Sequence, residues 1–297
     1  IEIKAYEHSA ATRLIEDFML LTNETIAEEY YWLELPFVYR IHETPDEEKL
    51  RTFATFLNNF GYSLHLTNHT IHPKELQKLL SRIEGSEAEG LISRILLRSM
   101  KQAKYSPENL GHFGLSAKYY CHFTSPIRRY PDLQIHRIIK EQLHGTLSKS
   151  RQEHYEHILP SVCDSSSKLE RRADEAEREA DKLKKAQYMR RHIGDIYEGV
   201  ISGVTAYGFY VELTNTVEGL VRAANLDDDY YIYDQEHYQL VGEMTGRTFS
   251  IGQSVSVVVV DADTLTKQIE FLLYYPEEDW SKGETRHGKR KSKTHRK

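Results

Sequence analysis

The 297-residue chain has only two cysteines, Cys121 and Cys163. That number rules out a disulfide framework and cannot by itself close a structural zinc site. None of the fifteen histidines stands at metal-ligand spacing from a cysteine. Long apolar runs are missing too. The longest spans five residues, Phe271 to Tyr275, which excludes a membrane-spanning helix. The start, Ile1-Glu2-Ile3-Lys4, has neither a methionine nor a basic-then-apolar leader. No signal peptide is therefore expected, and the chain reads as a piece of a longer protein cut upstream of Ile1. A reducing, cytoplasmic setting without a membrane partner fits this usage. No internal repeat is found.

What remains is an ordinary globular balance, 39% hydrophobic and 28% charged, sufficient to bury a core. The net charge of −6 is unevenly spread. Residues 282–297 carry eight Lys/Arg against one acid, so the rest of the chain stands at −13 and the tail at +7. Such a tail is either a polyanion-binding arm or a solubilising extension, and with no apolar side chain it cannot pack.

Helical spacing dominates the first two-thirds. Ser9 is a plausible N-cap for a helix over about 9–33, with Leu14, Phe18, Leu21 and Ile26 on one stripe. Residues 37–42 look extended. Pro45 followed by acids starts a second helix, with Leu50, Phe53, Phe56, Leu57 and Phe60 inward. Further helices are predicted around 73–83, 88–103, 131–144 and 152–192. In the last, Leu169, Ala173, Ala176, Ala180 and Leu183 form a narrow stripe suited to close packing on a neighbour. From Ile193 the pattern changes to short β-rich runs punctuated by glycine: 200–201, 209–211, 219–221, 255–260 and 269–272. Five strands in about 80 residues predict a small barrel of the OB-fold type. The expected fold is α+β: a largely helical region over 1–192, a five-stranded barrel over 193–275, and a basic tail over 276–297.

The stretch His122 to Leu133, HFTSPIRRYPDL, carries the most chemistry. Two prolines five residues apart brace a turn that presents Ser125, Arg128 and Arg129 ahead of a helix. A hydroxyl and two guanidiniums at a helix start suit phosphate oxygens. The competing reading is that the arginines pair with acids in a body of net −13. Asp227-Asp228-Asp229 is read as a surface acidic turn rather than a metal site. His136 is read as a hydrogen-bonded helix residue, and Ser125 lacks a His/Asp relay that would make it a nucleophile.

His112-Phe113-Gly114-Leu115 through HFTSPIRRYPDLQIHR resembles the signature of the RNase II/RNase R family of exoribonucleases. Residues 97–105, 18–25 and 39–42 resemble its RNase R branch in particular. The resemblance covers residues 1 to 275, as the carboxy-terminal part of the catalytic RNB domain followed by an S1 RNA-binding domain. It implies processive 3′-to-5′ hydrolysis of RNA to nucleoside 5′-monophosphates with help from a divalent metal, Mg²⁺. It implies that Arg128 contacts the phosphate near the scissile bond and that Arg129 and Tyr130 orient the turn. A functional acid of the first helix aligns with Asp17, with Glu16 beside it as the alternative. The metal-binding aspartates of the family are expected upstream of Ile1, so the isolated chain is expected to bind RNA without cutting it.

Residues 203–213 and 218–222 are similar to the S1 pattern. The likeness puts Tyr207 and Tyr210 at exposed stacking positions, leaves Phe209 to the core, and makes Arg222 and Lys267 phosphate contacts, with Asp263 at a further position of the motif. The segment 227–246, with four tyrosines, resembles an RNase R insertion. Single-stranded or structured RNA is the implied partner. One alternative is a non-catalytic RNA-binding protein. Another is a ribosome-associated S1 role, which accounts for residues 193–297 but leaves the Arg128 turn without a purpose.

Overall fold

The computed structural model describes residue 3 and residues 9–58, 60–64, 71–86, 89–235 and 237–275. The basic tail at 282–297 lies outside the described residues. Two compact units form, one within residues 4–184 and one within residues 185–297 that also takes in Ile3. Among the described residues no helix is long and apolar enough to cross a membrane.

The first unit runs α1 (Ala10–Trp32), β1 (Tyr39–Ile41), α2 (Glu47–Asn58), α3 (Pro73–Ile83), α4 (Glu89–Ser99), β2 (Lys104–Ser106), α5 (Tyr130–Leu143) and most of α6 (Lys149–Met189). Ser9 caps α1 by accepting the Thr12 N–H at 3.2 Å, satisfying one of the unpaired donors of the first turn. Burial begins only at Asn23, Ala27 and Tyr30. Leu14, Phe18 and Leu21 share a stripe, as their spacing predicts, but are 56%, 59% and 61% exposed. The α2 stripe is buried at Leu50, Phe53, Phe56 and Leu57. α4 ends at Ser99 rather than at 103, because residues 104–106 pair with β1 instead. Tyr30 stacks on Phe37 with ring centroids 4.7 Å apart, within a core that also holds Ile41, Tyr105, Ile135 and Leu159. Cys121 and Cys163 are buried there as free thiols. Burial raises both, Cys163 to about 12.

α6 is 41 residues long with Pro160 inside it. Its first turns are fixed by Arg151, which donates to Glu141 at 3.1 and 2.8 Å. The stripe predicted to lie against a neighbour does not: Ala173, Ala176 and Ala180 are exposed and Leu169 is 61% exposed. Helical spacing identified a face, but the opposing surface is absent among the described residues.

The second unit contains β3 (Ile196–Thr205), β4 (Gly208–Leu213), β5 (Glu218–Arg222), β6 (Tyr231–Asp234), β7 (Gln239–Gly242), β8 (Thr248–Ser250), β9 (Ser254–Asp263) and β10 (Gln268–Leu273). Five of these close a barrel in the order β10-β5-β4-β3-β9. β10 and β5 run parallel and the other neighbours antiparallel. Phe209, Val211, Val221, Val257 and Phe271 fill the interior, each fully buried side chain contributing roughly 1.5–3 kcal/mol. Gly208 turns the corner at φ +147°, where a Cβ would meet the Val221 carbonyl oxygen at 2.2 Å; no other residue fits. The insertion supplies β6 and β7, which pair with β8 just beyond it in a separate antiparallel sheet. The sequence reading gave it no strands.

Candidate nucleic-acid interface

The turn before α5 is built around one buried carboxylate. Asp132 is fully buried, and its Oδ2 accepts from the Ser125 N–H at 2.8 Å and from Arg129 Nε and Nη2 at 3.1 and 2.8 Å. Its other oxygen, Oδ1, has no hydrogen-bond partner among the described residues. The Ser125 carbonyl accepts from the N–H groups of Arg128 and Arg129, so the turn is closed from both sides. Pro131 then occupies the first turn of the helix, where its missing N–H is harmless.

This arrangement separates the two adjacent arginines. Arg129 is turned inward onto Asp132 with its side chain 18% exposed. Arg128 is exposed, and its guanidinium makes no hydrogen bond or ion pair among the described residues. Tyr130 is 49% exposed and lies under the Arg137 guanidinium, 5.9 Å from ring centroid to Cζ. Ile127 between the prolines is fully exposed.

Behind the turn lies a polar network that the sequence reading missed. Asn23 is buried in the middle of α1. It donates to the Tyr120 hydroxyl at 3.2 Å and accepts the Phe123 N–H at 3.0 Å, tying α1 to the segment that leads into the motif. Arg40 pairs with Glu170 of α6 at 2.6 Å and lies 4.7 Å above the Tyr105 ring. The Tyr105 hydroxyl is 2.9 Å from His122 Nδ1. Burial, followed by the fields of Arg129 and Arg40, pushes the His122 imidazole down to about 2. His112 is pushed down to about 4 by burial and then by His42 and Arg40. Both are therefore neutral, and the charged groups behind the turn are the Arg40–Glu170 and Arg129–Asp132 pairs. A polar Asn on the apolar stripe of a helix, and an acid three residues beyond Arg129, were the signals available for Asn23 and Asp132.

His136 is held as a structural residue. Its Nε2 lies 2.9 Å from the Phe123 carbonyl, and its ring stacks on Phe123 at 4.2 Å. Asp17 is exposed on the first half of α1. No hydrogen bond or ion pair joins it to the Arg128 turn among the described residues.

On the barrel, alternation along β4 buries Phe209, Val211 and Leu213 and turns Tyr210 outward. Tyr207, 55% exposed, sits in the tight turn between β3 and β4. Its hydroxyl is 3.0 Å from that of Tyr210, and the rings meet edge-on at 6.5 Å. That hydrogen bond, then burial, pushes the Tyr210 phenol up to about 12. Arg222, at the end of β5, donates through Nε at 2.9 Å and through Nη2 to Glu270 of β10. Lys267 lies in the β9–β10 turn at φ 58°. Asp263 holds that turn by accepting from the Leu265 N–H and the Thr266 hydroxyl, both at 2.8 Å. The turn before β4, strands β4 and β5, and the β9–β10 turn are the first–second loop, second and third strands, and fourth–fifth loop of an OB barrel. That is the surface on which OB folds take up oligonucleotides.

The acidic triplet serves the insertion. Asp229 accepts from the Tyr230, Met244 and Thr245 N–H groups and the Thr245 hydroxyl, donors that hold its carboxyl down at about 2. Asp228 binds Tyr231 and Arg247. Among the described residues no group of three or more His, Cys, Asp or Glu side chains is placed to hold a metal ion. They do not fit a Mg²⁺ site.

Residues 1–145 match the family model of the RNB domain, and residues 191–273 that of the S1 RNA binding domain. The chain belongs to the RNase II/RNase R family. Over 278 residues it is 46% identical to Ribonuclease R 1 of Lactococcus lactis subsp. lactis, covering 94% of this chain and 34% of that relative. Ribonuclease R of Thermotoga maritima is 40% identical over 282 residues, covering 94% and 39%. A Mycoplasma genitalium RNase R structure in complex with ribose methylated single-stranded RNA superposes with a TM-score of 0.82 at 26% identity, covering 91% of this chain and 42% of that one. The chain thus spans roughly a third to two-fifths of the length of the curated relatives it matches. In this RNase R-type chain the Arg128 turn falls inside the RNB match and the tyrosine pair inside the S1 match.

Proposed function

We propose that this chain is the carboxy-terminal part of an exoribonuclease that hydrolyses RNA processively from the 3′ end to nucleoside 5′-monophosphates. One observation carries the reading. Of two adjacent arginines on a proline-braced turn, one is locked onto a buried carboxylate and the other is presented to solvent with no partner among the described residues. In this reading Arg129 and Ser125 hold the turn through Asp132. Arg128 binds a phosphate and neutralises charge developing on its oxygens near the scissile bond, a contribution that preorganisation strengthens. Tyr130 supports the turn. Tyr207 and Tyr210 stack bases of an incoming single strand, about 1–3 kcal/mol per base with little sequence preference. Arg222 and Lys267 contact its backbone. A divalent ion, Mg²⁺, would be held by aspartates that this sequence does not contain, and this chain alone binds RNA without cutting it. The two buried, unpaired thiols suit a reducing cytoplasm.

Incubating the purified chain with labelled RNA and Mg²⁺ is expected to give a complex and no mononucleotide. Mononucleotide release would overturn the division of labour. In the longer enzyme, Arg128→Ala should slow cleavage much more than it weakens binding; equal losses would reduce Arg128 to an anchor.

A further inference from the structure

A second basic surface lies on the barrel unit, next to the β9–β10 turn that carries Lys267. The end of α6 and the turn that follows it frame a recess of about 590 Å³ lined by Gln187, Tyr188, Arg190, Arg191, His192 and Thr264. The lining contains two guanidiniums, on a chain whose residues outside the tail carry a net −13. The carboxylates beside it are Asp195, which binds His192, and Asp263, which feels the Arg190 charge but accepts its hydrogen bonds from its own turn. Arg190 and Arg191 are exposed. Neither guanidinium forms an ion pair or hydrogen bond among the described residues, so neither is occupied in capping the helix carbonyls. The His192 ring, held by Asp195 at 2.8 Å, leans on the Tyr188 ring at 4.5 Å and 34°. Thr264 belongs to the same β9–β10 turn as Lys267. The recess therefore opens beside one end of the surface that carries the tyrosine pair.

We propose that this recess is a subsite for single-stranded RNA. Arg190 and Arg191 take consecutive backbone phosphates, and the Tyr188–His192 pair offers a ring face to a base, extending the strand path beyond the β9–β10 turn. Guanidinium forks match phosphate oxygens, and an adjoining aromatic face is the sequence-tolerant partner that single-strand binders use. The inference rests on RNA binding by the barrel face, and the test keeps the two apart.

Binding of the whole chain to fluorescent oligoadenylates of about 5 and about 15 nucleotides, near the two ends of the range of OB-fold site sizes, would be titrated against salt. Arg190→Ala/Arg191→Ala is expected to weaken the long oligomer about tenfold, to flatten its log–log salt slope by about 1.4 for two lost phosphate contacts, and to leave the short one unchanged. Arg190→Lys/Arg191→Lys should keep most of the slope. Tyr207→Ala/Tyr210→Ala should weaken both lengths. Unchanged affinity of the arginine variant for the long oligomer overturns the subsite while leaving the barrel face intact. An equal loss from Lys182→Ala/Lys184→Ala, about two helical turns back along α6, also overturns it by reducing the effect to general charge. Unchanged binding by the tyrosine variant sinks the underlying reading instead.

Discussion

Asp132→Ala tests whether the turn before α5 is preorganised by its buried carboxylate. Asp132 is fully buried and Arg129 is 18% exposed, so water offers little compensation once one partner is gone. The substitution leaves a guanidinium and the Ser125 N–H without their acceptor. Breaking such a pair from one side costs about 3–5 kcal/mol. For a unit of this size that lowers the melting temperature by about 6–20 °C. Asp132→Asn keeps the shape and an acceptor but loses the charge, and is expected to cost about 1.5–3 kcal/mol. Arg128→Ala, four residues before Asp132 on the same turn, should change stability by less than about 0.5 kcal/mol because its side chain is exposed and has no partner among the described residues. Thermal and urea unfolding of the three variants would be read together with a double-mutant cycle between Arg129→Ala and Asp132→Ala. A loss below about 1 kcal/mol for Asp132→Ala, or an additive cycle, would show that the carboxylate does not hold the turn. The contrast with Arg128 would then have no structural basis.

Arg128→Ala should weaken single-stranded RNA binding with a salt slope shallower by about 0.7, and an unchanged slope would remove its phosphate contact. Tyr207→Ala should cost about 1–3 kcal/mol of affinity with the fold intact, whereas Phe209→Ala should cost about 3–5 kcal/mol of stability; urea melts and titrations distinguish them, and a reversed pattern refutes the assignment of faces. Deleting 282–297 removes eight basic residues and should both weaken RNA binding and flatten its salt dependence, so an unaltered slope excludes the tail. His122 and His112 are held down to about 2 and about 4, below the 6.5 of an unfolded imidazole. The unfolded chain thus takes up protons first as pH falls. Stability complete above pH 6.5 should drop by at most about 1.4 kcal/mol per pH unit for each histidine until about pH 4 for His112 and lower still for His122. Urea midpoints that do not move between pH 7 and 5 would contradict this.

Much of the architecture was legible because it is governed by local pattern. Ser9 and the prolines at 45 and 131 mark helix starts, and alternation around Phe209 gives the strand and its buried face. The errors share one physical origin. Spacing reveals that Leu14, Phe18, Ala173 and Ala180 lie on common faces, but burial depends on an opposing surface, which no helical pattern contains. The same applies to the arginine pair. Both side chains are equally suited to phosphate by type, and only the placement of Asp132 one helical turn beyond Arg129 decides which faces inward. The β6-β7-β8 sheet went unread because its strands are short and its tyrosines and aspartates suggest a loop. Its strands pair through backbone ladders, and hydrogen bonds to Asp228 and Asp229 fasten the adjoining turns.

Phe249 of β8 stacks on Phe209 of β4 with centroids 4.8 Å apart, and Tyr231 of β6 lies 5.3 Å from Phe249. The β6-β7-β8 sheet thereby lends the barrel part of its wall. Trimming it away to obtain a minimal oligonucleotide-binding module would expose the ring directly behind Tyr210. Engineered versions of this protein should retain the appendage, which is expected to melt in the same transition as the barrel rather than ahead of it.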